Sequence, residues 1–262
     1  MSGYLELADQ RVFVEEYGAG EPLFLLHGGM VAADSWQFQI PALAERYHVF
    51  VPERRGHGRT PDVPGPYTTE NMAAETVAVI EALVDGPVRL VGWSDGAYVA
   101  AYVALTRPDL VARLVLIGQA YASEGESSGI AALVNATELG EWFRPDYVKL
   151  SPDGPDHFDT VLDKVMTMWR NPLELSLAEM AKISAPTLIM QGDDDGVRID
   201  YSAALAATLP QAQLAVIPGT GHGAPIQKAD LFNRMILDFL ASGQPERLIA
   251  LGSLHDAARP PS

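Results

Sequence analysis

Cysteine is absent from the 262-residue chain. That removes disulfides, thiolate nucleophiles, zinc knuckles and cysteine-ligated iron–sulfur clusters, so any covalent catalysis must use another nucleophile. Basic residues are scarce too: 18 Lys and Arg face 34 Asp and Glu, a formal net charge of −16 with histidines neutral. They are scattered rather than gathered in a stripe, and such an acidic excess repels phosphate backbones and anionic membrane surfaces. No apolar run approaches the roughly 20 residues of a spanning helix, and residues 1–10 lack the basic and apolar regions of a signal peptide. The expected location is the cytoplasm. The expected partner is a small molecule, without nucleic acid or membrane, and a homodimer is left open.

Forty-eight per cent of the residues are hydrophobic. A chain of this length can bury about 75% of its unfolded surface, enough for one large core without staples. No fixed-period repeat or low-complexity block stands out. Residues 4–7 and 11–17 read as short strands around a turn, followed by compact apolar runs at 22–26 and 48–51. Residues 88–91, 114–117, 187–190 and 214–217 are four more buried-strand candidates, each bounded by Gly or Pro. Helical spacing marks 35–46, 69–84 with Thr69 as its cap, 96–106, 199–209 and 228–240. Strand–helix alternation of this kind predicts an α/β protein with a mostly parallel sheet covered on both faces. Residues 119–184 are too long for a single crossover and are read as an insertion of a few short helices, a cap over the C-terminal edge of the sheet. The core is then 1–118 with 185–242, and 243–262 is read as a loosely packed tail.

Chemistry concentrates at the ends of those strands. Gly92-Trp93-Ser94-Asp95-Gly96 follows the 88–91 strand and opens a helix, the strand–turn–helix setting in which a G-x-S-x-G serine is held in a strained turn with its hydroxyl exposed. The helix N-terminus there offers the Asp95 N–H to a developing oxyanion. Gly125-Glu126-Ser127-Ser128-Gly129 fits the same five positions, but no strand precedes it, so Ser127 reads as a loop serine. Asp95, off the apex of the turn, reads as a solvated first-turn carboxylate. A serine needs a base and a group to orient it. His222, in the glycine-rich loop after the last strand, is the best base. His57 and His27 read as loop and strand-end residues, His48 starts a strand, and His157 and His255 fall in the insertion and the tail. The acid must come from Asp193, Asp194 or Asp195, of which one should face His222 and two stay solvated. A calcium loop would need a closing glutamate at the right distance, and none follows, so no metal is expected.

With these motifs in place the chain resembles the α/β-hydrolase family over about residues 11–240. Leu25-Leu26-His27-Gly28-Gly29 is similar to the family's oxyanion loop. Pro52-Glu53-Arg54-Arg55-Gly56-His57-Gly58-Arg59-Thr60 is similar to its Asp-x-Arg-Gly-x-Gly-x-Ser turn, with Glu53 and Thr60 as departures. The resemblance implies an α/β-hydrolase fold and a triad of Ser94, Asp195 and His222 in the family's chain order. It also implies a second oxyanion donor at Gly29, with Met30 as the alternative, a structural His27, and no cofactor. The Gly-Trp-Ser-Asp-Gly elbow is similar to that of small esterases, lactonases and amino-acid-ester hydrolases such as the valacyclovir hydrolase group. A serine at the elbow separates the chain from haloalkane dehalogenases and epoxide hydrolases, which carry aspartate there.

The expected activity is hydrolysis of an ester, thioester or lactone of a small, apolar substrate through an acyl-enzyme on Ser94. The alternatives keep the triad for perhydrolysis, carbon–carbon hydrolysis or cyanohydrin cleavage, or bind a ligand without turnover. Trp93, Trp142, Phe143, Met166 and Trp169, with Met168, either line an apolar substrate pocket or are ordinary core.

Overall fold

A computed structural model describes residues 2–8, 10–130 and 139–241. Its eight strands are β1 (Ser2–Glu6), β2 (Arg11–Gly18), β3 (Glu21–Leu26), β4 (Tyr47–Pro52), β5 (Val88–Trp93), β6 (Val111–Ile117), β7 (Thr187–Gly192) and β8 (Ala212–Ile217). They form one sheet in the order β1-β2-β4-β3-β5-β6-β7-β8. Strands β3 to β8 run parallel, and β2 pairs antiparallel with both β1 and β4.

Parallel strands need crossovers, and crossover helices cover both faces of the sheet, so the central strands can be apolar at every position. In β3, Leu23 and Leu25 face one apolar cluster with Trp36, Leu43, Phe232 and Ile236, while Phe24 and Leu26 face another with Met72, Ile80, Val99 and Val103. The first cluster is closed by helices Ile40–Ala44 and Ala229–Leu240, the second by Thr69–Leu83, Asp95–Thr106 and Ile199–Thr208. The strand order turns at β3, flanked by β4 on one side and β5 on the other. Connections leaving β3 and β5 therefore part to opposite faces and open a crevice at their C-terminal ends, where ligands bind in open α/β sheets.

Two local expectations are corrected. Residues 35–46 do not form one helix but a 3-10 turn, Ala33–Trp36, and a short helix, Ile40–Ala44. Pro41 has no N–H to continue an earlier turn and sits instead in the first turn of the new helix, where none is needed. The cap of the next helix is Thr68, not Thr69: Thr68 is extended and its hydroxyl accepts from Asn71 N–H at 3.1 Å, while Thr69 is already helical and buried.

Between β6 and β7 the described residues include helices Leu139–Leu150 and Phe158–Arg170 and the turn Leu177–Met180. Phe158, Val161, Val165 and Met168 recur at helical spacing and pack into the second core cluster. Asp62 ties this segment to the rest of the chain. Its carboxylate accepts from Lys164 Nζ at 2.7 and 2.9 Å and from Tyr67 Oη at 2.6 Å, and meets His157 Nε2 at 2.8 Å. The 243–262 tail lies outside the described residues.

Candidate active site

Ser94 sits at the turn from β5 into Asp95–Thr106 with φ 55° and ψ −124°. It and Met30 are the non-glycine residues with positive φ among the described residues, a conformation that costs about 1–3 kcal/mol each and persists only where the surroundings enforce it. They do so here. Ser94 N–H is bonded to the Ile117 carbonyl at 2.8 Å, and its own carbonyl accepts from Ala97 at 2.8 Å. A Cβ at Gly92 would overlap the Gly96 carbonyl, and one at Gly96 would overlap the Leu26 carbonyl, so strand and helix approach this closely only with glycine at both positions.

The hydroxyl of Ser94 is 2.9 Å from His222 Nε2, and His222 Nδ1 is 2.7 Å from Asp195 Oδ1. The Asp195 side chain is only 1% exposed, against 39% for His222, and Asp195 also accepts from Gly196 N–H at 2.6 Å. A carboxylate can only accept, so Nδ1 carries the imidazole proton and Nε2 offers its lone pair to Ser94. Burial lowers the His222 pKa, but the hydrogen bond and charge of Asp195 outweigh it and leave it raised above the ordinary 6.5. Asp193 and Asp194 are exposed, and Asp193 accepts from Thr220 N–H.

The loop after β3 lies against the elbow: a Cβ on Gly28 would contact the Ser94 Cβ at 3.4 Å. Arg54 Nη2 donates to the carbonyls of His27 (2.6 Å) and Gly28 (2.8 Å), and Arg54 N–H donates to His27 Nε2 at 3.1 Å. With Nε2 accepting, His27 Nδ1 carries the proton and donates to the Gly28 carbonyl at 2.7 Å. His27 is thus neutral, and burial drives its pKa well below the usual range. Glu53, fully buried, accepts from Ala33 N–H in this loop at 3.2 Å and pairs with Arg59 at 2.5 Å. The N–H groups of Gly29 and Asp95 make no hydrogen bond to a described residue.

Ser94 and His222 open into a cavity of about 240 Å³ walled by Trp93, Phe143, Met168, Trp169 and Leu173. Three expectations need correction. Trp142 does not line it: its side of Leu139–Leu150 faces solvent, and it is 66% exposed. Met166 does not line it either: it is buried in a small separate cluster with Leu139, against which Phe143 and Trp169 also pack. Asp95 is not a solvated carboxylate. It is a half-buried wall of the cavity whose two oxygens accept from Trp169 Nε1 at 3.0 and 2.8 Å. Burial raises its pKa, opposed by the charge of Arg54 and the Trp169 bond.

Sequence reasoning missed Glu126 and Tyr98, which also line the cavity, Tyr98 Oη donating to Glu126 at 3.2 Å. Burial raises the Glu126 pKa, with Glu174 and Asp95 adding to the shift and the Tyr98 bond opposing it. One signal was available for Tyr98: it stands one helical turn after Ser94 and so shares its face. The look-alike serine beside Glu126 is unremarkable. Ser127 N–H is bonded to the Gly196 carbonyl, and its hydroxyl meets no histidine among the described residues. Of the other histidines, His48 meets Glu16 and His157 meets Asp62, His57 is buried in its turn, and His255 lies outside the described residues.

A strained serine over a parallel sheet, with an imidazole and a carboxylate in series behind it, defines a class of hydrolytic sites. The sequence profile of the alpha/beta hydrolase family matches residues 23–235, and the chain belongs to that family. It is 31% identical to a non-heme haloperoxidase of Rhodococcus erythropolis, covering 88% of this chain and 96% of that one. It is 27% identical to a 2-hydroxy-6-oxo-6-phenylhexa-2,4-dienoate hydrolase of Burkholderia cepacia, covering 90% and 93%. Among solved structures it resembles a meta-cleavage product hydrolase of Pseudomonas fluorescens, with a TM-score of 0.78, 26% identity, and 90% and 96% of the two chains covered. The protein is a hydrolase of this fold. No helix among the described residues is long and apolar enough to cross a membrane.

Proposed function

We propose that the protein hydrolyses an ester, thioester or lactone of a small, uncharged, largely apolar substrate through an acyl-enzyme on Ser94. The observation that carries this reading is the unbroken series from Ser94 Oγ through both ring nitrogens of His222 to buried Asp195, ending in an apolar-walled cavity. Oγ attacks the carbonyl carbon while His222 Nε2 takes its proton. The C–O or C–S bond to the leaving group then breaks as His222 returns that proton to it, and water repeats the sequence on the acyl-enzyme. Asp195 holds the tautomer and stabilises the imidazolium. The N–H groups of Asp95 and Gly29 are the oxyanion donors in this reading, each worth on the order of 3 kcal/mol. Gly29 is preferred over Met30 because Gly29 lines the catalytic cavity and Met30 lines a different one.

The cavity wall favours neutral substrates. Asp95 and Glu126 both face it, and a substrate carboxylate held beside them would be repelled in a poorly hydrated space. The one cationic side chain among the described residues of the lining, Arg54, already donates to the His27 and Gly28 carbonyls. This weighs against a dienoate of the kind named for the Burkholderia relative. Perhydrolysis differs only in the attacking peroxide and is the second reading, favoured by the haloperoxidase likeness.

The test is fluorophosphonate labelling with peptide mapping in wild type, Ser94→Ala and Ser127→Ala, followed by p-nitrophenyl esters, lactones, a dienoate, and a p-nitrophenyl ester with added peroxide. Labelling and ester turnover lost only in Ser94→Ala are expected. Full turnover in Ser94→Ala would overturn the proposal. A folded wild type that neither labels nor turns over would mark a ligand-binding protein.

A further inference from the structure

A second cavity, of about 210 Å³, shares Val31 and Trp93 as walls with the catalytic cavity but includes none of Ser94, Asp95 or His222. One water needs about 10–15 Å³ of such space, so this volume suits a small organic molecule. The cavity lies between the loop after β3, the turn Gly56-His57-Gly58 and the helix Leu139–Leu150.

Its charge is of one sign. His57 is only 2% exposed, and its Nδ1 lies 2.8 Å from the Arg55 carbonyl, so Nδ1 carries the proton. Burial, with the Arg54 charge adding to it, lowers the His57 pKa to about 3, and the ring is neutral near pH 7. Nε2 is then a lone-pair acceptor, and no described residue donates to it. The charged side chains among the described residues of the lining are Asp34 and Asp146, both exposed carboxylates. Thus the walls offer the His57 acceptor, apolar surface from Met30, Val31 and Leu150, and side chains that can donate as well as accept at Gln37 and Tyr147.

We propose that this cavity is a second binding site, for a compact alcohol or amine whose O–H or N–H donates to His57 Nε2 and whose alkyl body packs on Met30, Val31 and Leu150. An anion has no proton to donate and would meet Asp34 and Asp146. Such a site accounts for a buried acceptor that would otherwise be left without a donor.

The experiment is a titration of ¹⁵N-histidine-labelled protein with 1-butanol, n-butylamine and sodium butyrate, following the His57 Nε2 resonance. The resonance is assigned by its loss in His57→Phe or, if that variant does not fold, by through-bond correlation in wild type. A saturable upfield shift with butanol or butylamine and none with butyrate is expected. Leu150→Trp, which fills this cavity, should weaken the binding about tenfold or more, whereas Leu173→Trp, which fills the catalytic cavity, should leave it within about twofold. An unmoved resonance, an equal response to butyrate, or undiminished binding in Leu150→Trp would each overturn the proposal. The readout involves no turnover, so it stands or falls apart from the hydrolytic reading.

Discussion

Gly118 is the position where one methyl group should separate stability from catalysis. It follows β6 directly with φ 60°, and its N–H is bonded to the Met190 carbonyl at 2.9 Å, so the backbone cannot easily relax. A Cβ there would lie 3.0 Å from His222 Cε1 and Nδ1 and 3.2 Å from Asp195 Oδ2. Carbon contacts are comfortable at about 3.5–4.0 Å, so in Gly118→Ala the imidazole must retreat by roughly 0.5 Å. The 2.9 Å Ser94–His222 bond would then lengthen past the range of a good hydrogen bond. Misplacements approaching 1 Å cost on the order of 10²-fold, so kcat/KM should fall about 10–100-fold. The left-handed backbone with alanine adds about 1–2 kcal/mol of destabilisation, a Tm lower by roughly 2–4 °C. The control is Gly86→Ala, at φ 106° with nothing within 4 Å of the added carbon, which carries backbone strain without a contact. Ester hydrolysis and the rate of fluorophosphonate labelling are measured on both variants. If Gly118→Ala labels as fast as Gly86→Ala, the argument from imidazole displacement is wrong.

Other outcomes follow from the same contacts. The raised His222 pKa means kcat/KM should climb with pH through an apparent pKa above 6.5, as the base loses its proton; a limb centred below that would contradict it. By linkage the same shift stabilises the fold fully below the unfolded pKa, and this contribution is lost as pH rises through the folded one, a trend that Asp195→Asn should flatten in denaturation curves. Trp169→Phe removes the donor to both oxygens of half-buried Asp95 and should cost about 1–3 kcal/mol by chemical denaturation, with Asp95→Asn in the same background recovering part of it. Asp62→Ala frees Lys164, Tyr67 and His157 together. Hydrogen exchange should accelerate in Phe158–Arg170 and remain slow in β5 and β6, and uniform acceleration would show that the contact stabilises the whole fold instead.

Local pattern determined the strands and the elbow. β3, β5, β6 and β7 are runs of apolar residues because both faces of a parallel sheet are covered, and that signature needs no knowledge of neighbours. Ser94 was separable from Ser127 because only one follows a strand and opens a helix. His222 and the aspartate run at 193–195 could be ranked by their places after strands. Three adjacent carboxylates do not by themselves show which one faces the imidazole, and only the family resemblance pointed to Asp195. The turn after β7 decided it, burying the Asp195 side chain against Gly196 N–H and leaving Asp193 and Asp194 in water.

Wherever the outcome depended on which face of a helix meets which surface, tertiary packing decided. Trp142, Met166, Met168 and Trp169 are alike in type, but packing leaves the first exposed, buries the second against Leu139 and places the other two on the cavity wall. Asp95 looked like a solvated first-turn carboxylate because nothing nearby in sequence could cover it; the indole that does so lies 74 residues away. The acidic lining of Asp95 and Glu126 and the clamp of Arg54 and Glu53 on the loop after β3 arise the same way. Each joins segments distant in the chain, and the energy of such contacts comes from desolvation and geometry that only the folded molecule creates.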